Sequence, residues 1–349
     1  MINDQTYSIE WILDLKQKLG KKVDAKLIEK VVYALAFLEQ LKVNGLEFIF
    51  KGGTALLLVT EVPKRFSIDI DIVTQESEAD IVVILDKIVE SGFFTKWQND
   101  NKRKHTPDAP LGHFKMYYNS VVDTGAEEPI LLDVLYTPNP YPETMEIPIK
   151  HNWINTSGEI PKVTMPTFAS ILGDKLTAFA PKTTGILYSK SRPVEIIKQL
   201  YDIAFLFDNI TELSVVITSY TKVVTEEIGF RKLQLTPYEV LTDTFQACHE
   251  LALRSGTSPE FKQLFLGIRN FTNFTIAPFH IDEATVATAK VAYLTKLMKI
   301  GNAAQIERYE NTAQIKEWLI EDPEYNKLNK LKKNNPEAFY YWYKSIITK

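Results

Sequence analysis

The amino-acid sequence predicts an α+β fold, in which a mixed sheet with flanking helices is followed by a helical C-terminal domain. Between residues 46 and 150, several stretches show the alternation of half-buried strands. After Pro166, apolar residues recur at intervals of three or four, which is the helical period. The chain has 349 residues, enough for two ordinary domains. We therefore predict a sheet-containing domain at residues 1–165 and a helical domain at residues 166–349.

The individual elements follow from the same patterns. The first 45 residues are predicted to be helical, because apolar residues between Ile28 and Leu41 recur at spacings of three and four. Asn44 and Gly45 then provide a helix stop signal. The strands expected in the first domain are residues 46–50, 67–74, 113–121, 129–136 and 145–150, with a helix at residues 78–91. The helices expected in the second domain are residues 166–180, 193–208, 211–228, 237–253, 258–273, 282–300 and 312–346.

The composition excludes several classes of protein. With 45% hydrophobic and 24% charged residues, the chain has the make-up of an ordinary globular protein. It contains no uninterrupted apolar stretch of about 18 residues and no N-terminal secretory signal, so we expect a cytoplasmic protein. The single cysteine, Cys248, excludes an internal disulfide and a cysteine zinc cluster. The five histidines show no zinc-ligand spacing and are predicted to be structural or exposed to solvent.

The segment Ser67-Ile-Asp-Ile-Asp71 predicts a pair of neighbouring carboxylates. In a strand, Asp69 and Asp71 point to one face and the isoleucines point to the other. Like charges this close repel each other unless a cation lies between them. Carboxylate and phosphate oxygens are the ligands that Mg²⁺ prefers, so the pattern predicts a magnesium site.

A phosphate-binding turn is predicted at Gly52, Gly53 and Thr54, between a strand and a short helix. Glycine allows the backbone to turn sharply and to approach a ligand closely. Backbone N–H groups at the start of a helix, together with the threonine hydroxyl, can donate hydrogen bonds to an anion. The spacing differs from that of a Walker A loop.

A third carboxylate, Asp133, is the only charged residue in the apolar segment 129–136. Burial of an unpaired carboxylate is unfavourable, so this side chain requires a metal, a hydrogen-bond donor or a cation. Together with Asp69 and Asp71 it would form a two-metal site for the transfer of a group from a triphosphate to a hydroxyl. The alternative to a metal site is that Gly52 and Gly53 form only a β-turn and that residues 67–74 form an exposed edge strand. Asp133 would then lie in an ordinary salt bridge.

These motifs resemble the nucleotidyltransferase signature of the DNA polymerase β superfamily, in which Gly-Gly or Gly-Ser precedes Asp-x-Asp on the next strand. The form Lys51-Gly-Gly-Thr-Ala-Leu with Arg65-Phe-Ser-Ile-Asp-Ile-Asp resembles the AbiEii/AbiGii toxin family, which includes the MenT-type toxins. The resemblance extends over residues 46–208 and implies a polymerase β-like sheet. It also implies a magnesium-dependent enzyme that transfers a nucleoside monophosphate from an NTP to an acceptor hydroxyl.

The biological expectations come from the same resemblance. The protein would be the toxin of a toxin–antitoxin or abortive-infection system, with a cognate antitoxin as partner. The 3′ end of tRNA is the leading expectation for the acceptor. The alternatives are a transferase that acts on a protein or a small molecule, and a catalytically inactive binding scaffold. Ser67, Gly53 and Thr54 would seat the β and γ phosphates, and Arg65 is a further candidate for neutralising nucleotide charge.

Three residues of the helical domain match further features of that family. Lys175 lies on an otherwise apolar helical stripe and would neutralise charge on the nucleotide. The alternative is a lysine that extends to solvent at the domain edge. Lys198 and Asp202 match a basic-acidic helix motif, for which the alternative is a surface ion pair between residues four apart. Gln199 departs from the motif, since an acid often follows the basic residue in the family.

Overall fold

The computed structural model describes residues 1–20, 22–60, 63–103, 109–301 and 305–348. Of the five histidines discussed above, His105 lies outside these residues. The chain forms two compact units. The first contains Met1–Pro140, Thr144–Pro166 and Phe274–Ala277, and the second contains Tyr141–Glu143, Thr167–Asn273 and Pro278–Lys349. Within the described ranges, no helix is both long enough and apolar enough to cross a membrane.

The first unit is built on a mixed sheet with flanking helices, as predicted. Its helices are α1 (Ile9–Leu19), α2 (Ala25–Val43), α3 (Gly52–Leu58) and α4 (Glu78–Glu90). Its strands are β1 (Ile49–Lys51), β2 (Ile70–Thr74), β3 (Lys96–Asn99), β4 (Leu111–Asn119), β5 (Glu127–Tyr136), β6 (Thr144–Pro148) and β7 (Lys162–Pro166).

The strands lie in the order β3-β4-β5-β2-β1-β7-β6. The pairs β2–β5 and β1–β7 are parallel, and the other neighbouring pairs are antiparallel. The central strand β2 therefore lies between β1 and β5, with its isoleucines buried. This arrangement places the acidic residues of β2 beside residues that are distant in the sequence.

Helix α2 supplies much of the core of the first unit. Its N-cap, Asp24, accepts a hydrogen bond from the backbone N–H of Lys26, and its apolar residues from Ile28 to Leu41 are almost fully buried. The fully buried carboxylate of Glu29 accepts hydrogen bonds from the Ser120 hydroxyl and the Val121 N–H, with its oxygens 2.7 and 2.6 Å from these donors. This buried acid therefore attaches α2 to the turn that follows β4.

The second unit is helical, as the sequence pattern indicates. Its helices are α5 (Phe168–Ala178), α6 (Pro193–Asp208), α7 (Ser214–Phe230), α8 (Pro237–Leu253), α9 (Pro259–Phe271), α10 (Ile281–Ile300), α11 (Leu331–Asn334) and α12 (Pro336–Ile347). Four of them begin with proline, which lacks the N–H that the first turn of a helix leaves without an intrahelical partner.

The prediction of one helix over residues 312–346 is wrong. That stretch contains short 3₁₀ turns at Thr312–Ile315 and Asn326–Lys330 before α11 and α12. Pro336 cannot continue a preceding helix, because it has no N–H to donate and its ring clashes with the preceding turn. It starts α12 instead, and the aromatic residues Phe339 to Trp342 are buried there.

His151, which lies between β6 and β7, is buried in the folded first unit. Its ring contacts Trp153 edge-on, and its Nδ1 accepts a hydrogen bond from the Trp153 N–H at 3.2 Å. Burial lowers the pKa of His151 to about 4. Because the unfolded chain binds the proton at a pKa of about 6.5, protonation favours unfolding.

The stability contributed by neutral His151 is therefore complete above about pH 6.5 and is lost as the pH falls towards 4, by up to about 3 kcal/mol. Urea unfolding between about pH 7 and 4.5 measures this loss. In the His151→Phe variant we expect a shallower dependence of the unfolding free energy on pH. Equal slopes for the two proteins would contradict the assignment.

Candidate active site

A row of polar residues crosses the middle of the sheet. Lys51 on β1 is registered with Asp71 on β2, Asp71 with Asp133 on β5, and Asp133 with His113 on β4. Side chains at registered positions of neighbouring strands leave the same face of a sheet, so these four lie side by side. Two adjacent carboxylates are thus flanked by a lysine on one side and by a histidine on the other.

His113 holds the third carboxylate of the site directly. Its Nδ1 lies 2.8 Å from Asp133 Oδ1, and the side chains of His113 and Asp133 are 12% and 31% exposed. An imidazole N–H that donates to a carboxylate oxygen fixes the orientation of that carboxylate. Of the two expectations for the histidines, His113 thus matches the structural one, because it is mostly buried and holds Asp133.

Gly52 lies against the carboxylate of Asp71. Its φ of +78° belongs to the left-handed region that glycine adopts readily. A Cβ added at this position would overlap Asp71 Oδ2 and would lie 2.8 Å from Asp71 Cγ. The glycine at the start of α3 therefore leaves the space that the Asp71 side chain occupies.

The remaining residues of the predicted phosphate seat form a second contact group. A Cβ added at Gly53 would overlap the Arg65 guanidinium and would lie 2.7 Å from Ser67 Oγ. The buried Thr54 hydroxyl donates a hydrogen bond to the Asp69 carbonyl at 2.6 Å and lies 3.0 Å from Ser67 Oγ. Thr54 thus holds the start of α3 to the segment that leads into β2.

The first unit therefore brings together its sequence-predicted residues. Asp71, Asp133 and Gly52 are neighbours, and Gly53, Arg65 and Ser67 form the adjoining group. Asp69 is connected to the same helix through its backbone carbonyl. The side chain of Arg65 is buried, and its Nη1 donates to the Phe66 carbonyl at 2.9 Å.

The donor chemistry of the two adjacent carboxylates fits magnesium. Among the described residues, no group of three or more His, Cys, Asp or Glu side chains is arranged as a complete metal cage. Mg²⁺ is commonly held by one or two carboxylates, with substrate phosphates and water completing its coordination. Asp71 and Asp133, registered on parallel strands, provide such a pair.

In the second unit, Lys175 and Asp202 form a buried ion pair. Lys175 Nζ lies 2.9 Å from Asp202 Oδ2, and it also donates to Gln199 Oε1 at 3.1 Å. The alternative for this helix, a surface ion pair between Lys198 and Asp202, requires an exposed Asp202. The Asp202 side chain is only 2% exposed, so that requirement is not met. Lys198 pairs with Glu195 at 2.9 Å. Gln199, the departure from the family motif, is therefore a hydrogen-bond partner of Lys175.

The buried pair predicts a large effect on stability. We expect Lys175→Met to lower the free energy of unfolding by about 3–5 kcal/mol, because Asp202 remains buried without its partner charge. Lys198→Met is the matched control, since Lys198 pairs with the more exposed Glu195 and should contribute less than about 1 kcal/mol. Urea unfolding measures both. Equal losses in the two variants would show that the Lys175–Asp202 pair is not a special contributor.

The motifs and the sheet geometry can be compared with known proteins. A family model described as "Nucleotidyl transferase AbiEii toxin, Type IV TA system" matches residues 36–267, well over half of the chain. The chain belongs to the AbiEii nucleotidyltransferase toxin family. The matched range includes Gly52, Asp71, Asp133 and the Lys175–Asp202 pair.

The fold of this AbiEii-family protein is similar to a solved toxin structure. MenT4, a nucleotidyltransferase toxin from Mycobacterium tuberculosis H37Rv, superimposes with a TM-score of 0.50 at 12% sequence identity. The similarity covers 90% of this chain and 94% of MenT4. No curated protein matches the sequence. The structural similarity thus confirms the predicted α+β nucleotidyltransferase fold.

Proposed function

We propose that this AbiEii-family toxin transfers a nucleoside monophosphate from an NTP to an acceptor hydroxyl, with release of pyrophosphate. The observation that carries the proposal is the register of Asp71 with Asp133 on parallel central strands, next to Gly52. The family consists of nucleotidyltransferase toxins of toxin–antitoxin systems, so the general reaction class is already indicated. The magnesium ions, the acceptor and the role of each residue are parts of the proposal.

Asp69, Asp71 and Asp133 would hold two magnesium ions. Bound magnesium would supply charge neutralisation on the triphosphate and would favour the deprotonated form of the acceptor hydroxyl. His113 would keep Asp133 in one orientation through the 2.8 Å contact between its Nδ1 and the carboxylate. Lys51, at the other end of the row, would limit the repulsion between the carboxylates when no nucleotide is bound.

The phosphates would lie against the start of α3. The half-buried backbone of Gly53, the Ser67 hydroxyl and the Arg65 guanidinium lie together there, and we assign all three to anion binding. Thr54 would act indirectly, because its hydroxyl donates to the Asp69 carbonyl and so positions the metal-binding segment. This placement orients the triphosphate relative to the carboxylates, which is the main contribution a protein makes to such a reaction.

Lys175, Lys198 and Asp202 match the family motif, and that resemblance is the basis for their proposed roles. We assign the neutralisation of nucleotide charge to Lys175, whose ammonium is held by Asp202 and Gln199. Lys198 and Asp202 are assigned to nucleotide binding through the resemblance of their helix. Asp202 would keep Lys175 charged and oriented rather than contact the nucleotide itself.

The acceptor that we propose is the 3′ end of tRNA, in the cytoplasm, with a cognate antitoxin as the restraining partner. This part rests on the family resemblance. A protein or a small molecule is the alternative acceptor, and an inactive scaffold is the alternative to an enzyme. The presence of all three carboxylates favours the enzyme.

The test is incubation of the purified protein with total cellular RNA, magnesium and each α-labelled NTP in turn. The Asp69→Ala, Asp71→Ala double variant is the matched control. We expect label in RNA of tRNA size with the unmodified protein only. Label in a protein band instead would overturn the tRNA assignment and preserve the chemistry. Absence of label with every NTP would favour the scaffold.

A further inference from the structure

A polar cavity of about 220 Å³ lies within the second unit. It is lined by residues of α8 and α9 and of the segment between α5 and α6. Its charged and hydrogen-bonding lining residues include Lys182, Tyr188, Asp243, Gln246, Glu250 and Glu260. Neither the family motif nor the proposed reaction uses any of them.

The cavity is rich in carboxylates and poor in cations. Lys182 lies 3.7 Å from Glu260, which is a long contact for an ion pair. Within the described residues, neither Asp243 nor Glu250 forms an ion pair. Burial raises the pKa of Asp243, although hydrogen bonds from Lys182 and Thr183 act in the opposite direction. The lining thus carries more negative than positive charge.

Asp243 presents an unused acceptor in this cavity. The residue is 5% exposed, and its Oδ2 accepts hydrogen bonds from the Lys182 N–H and the Thr183 hydroxyl, both at 2.8 Å. These bonds fix the carboxylate. In the described part of the chain, its Oδ1 and the Oε1 of Glu250 are buried without a hydrogen-bond partner. Buried acceptors in this state are unfavourable, and a donor relieves that penalty.

The spacing of the two acceptors limits what can satisfy them. Asp243 and Glu250 are both on α8 and seven residues apart, which separates their Cα atoms by about 10 Å along the helix axis. Typical sites for drug-sized ligands exceed about 300 Å³, so this cavity suits a smaller molecule. A short molecule with N–H donors at each end can reach both acceptors. Positive charge at those ends would strengthen both hydrogen bonds.

We propose that this cavity binds a short aliphatic cation that carries an amine or guanidine group at each end. One end donates hydrogen bonds to Asp243 and the other to Glu250, while Glu260 adds negative charge at the α9 side. The aliphatic centre of the ligand lies along Ala247, which also lines the cavity. The site is separate in its residues from the proposed nucleotide site, and its occupation does not depend on catalysis.

Calorimetric titration of the full chain with agmatine and with putrescine tests the proposal. We expect one molecule of at least one of these probes to bind per chain. Two control compounds separate the contributions of charge and of hydrogen bonding. 1,4-Butanediol has a similar length without charge. Hexamethylated putrescine, with a quaternary ammonium group at each end, keeps both charges without N–H donors. Both should bind at least tenfold more weakly. Equal binding of the methylated compound would overturn the hydrogen-bonding assignment.

Variants locate the site independently of the probes. Glu250→Gln should weaken binding at least tenfold, whereas Glu212→Gln, an exposed acid of the same unit that does not line the cavity, should leave it unchanged. Gln246→Arg places a guanidinium at the cavity and should abolish binding while raising the melting temperature. This second variant remains informative if Glu250→Gln fails to fold. No binding of either probe, or binding unaffected by both cavity variants, would refute the proposal.

Discussion

Replacement of Asp71 by asparagine should lower nucleotidyl transfer by about a thousandfold or more while the protein stays folded. Asp71 is the central carboxylate of the row, registered with Asp133 on one side and with Lys51 on the other. Asparagine keeps the shape of the side chain but removes the charge that would hold magnesium. The change removes the repulsion with Asp133 together with the attraction to Lys51, so we expect little net change in stability.

The measurement combines initial rates of label transfer at saturating NTP with thermal unfolding of the same preparations. Glu90→Gln is the matched control, since Glu90 is an exposed acid at the end of α4 in the same unit. Its rate should equal that of the unmodified protein. A rate for Asp71→Asn within tenfold of the unmodified protein, with both proteins folded, would remove Asp71 from the proposed metal site.

The carboxylates of the site were predictable because a strand has a period of two. The alternation of residues 67–74 predicts that Asp69 and Asp71 share a face if both lie in the strand. The beginning of the strand was less predictable. β2 starts at Ile70, and the carbonyl of Asp69 accepts a hydrogen bond from the Thr54 hydroxyl. That contact joins two segments whose proximity no local pattern specifies.

The neighbours across the sheet could be predicted only in part. The parallel pairing of β2 with β5, which brings Asp71 to Asp133, joins strands far apart in sequence. The hairpin of β4 and β5 is different. His113 lies as far before Asp123, in the turn, as Asp133 lies after it, so a correctly placed turn would have predicted their contact. The spacing of zinc ligands, in contrast, gives no information about a contact between a histidine and a carboxylate on neighbouring strands.

Two strands and one helical stretch show where sequence patterns give little information. β3 is a mostly exposed edge strand with the sequence Lys-Trp-Gln-Asn, and it has no apolar alternation. β7 ends at Pro166, where the sequence pattern predicts the start of a helix. Residues 312–346 contain apolar residues at helical spacing, yet only part of that stretch is helical. Pro336 separates the last two helices of that stretch, a break that the apolar spacing does not reveal.

Replacement of Gly52 by alanine should disrupt the same site through sterics alone. Alanine at a φ of +78° is strained, and its Cβ would overlap the Asp71 carboxylate. We expect the free energy of unfolding to fall by about 1–3 kcal/mol. Displacement of the carboxylate should lower nucleotidyl transfer by about a hundredfold, since errors of about 1 Å in positioning have effects of that size.

Gly45→Ala separates backbone strain from the steric clash with Asp71. Gly45 has a φ of +89°, and no described atom lies within 4 Å of an added Cβ, so only the strain applies. Its variant should lose about 1 kcal/mol of stability and keep full activity. A second comparison uses Asp71→Ala, which removes the clashing carboxylate. In that background the Cβ of residue 71 remains 3.0 Å from the added Cβ, so Gly52→Ala should destabilise much less than in the unmodified protein but somewhat more than Gly45→Ala does. The difference in urea unfolding measures the coupling between the two positions. An unchanged effect of Gly52→Ala in the Asp71→Ala background would show that Gly52 is required for its backbone conformation and not for the space beside Asp71.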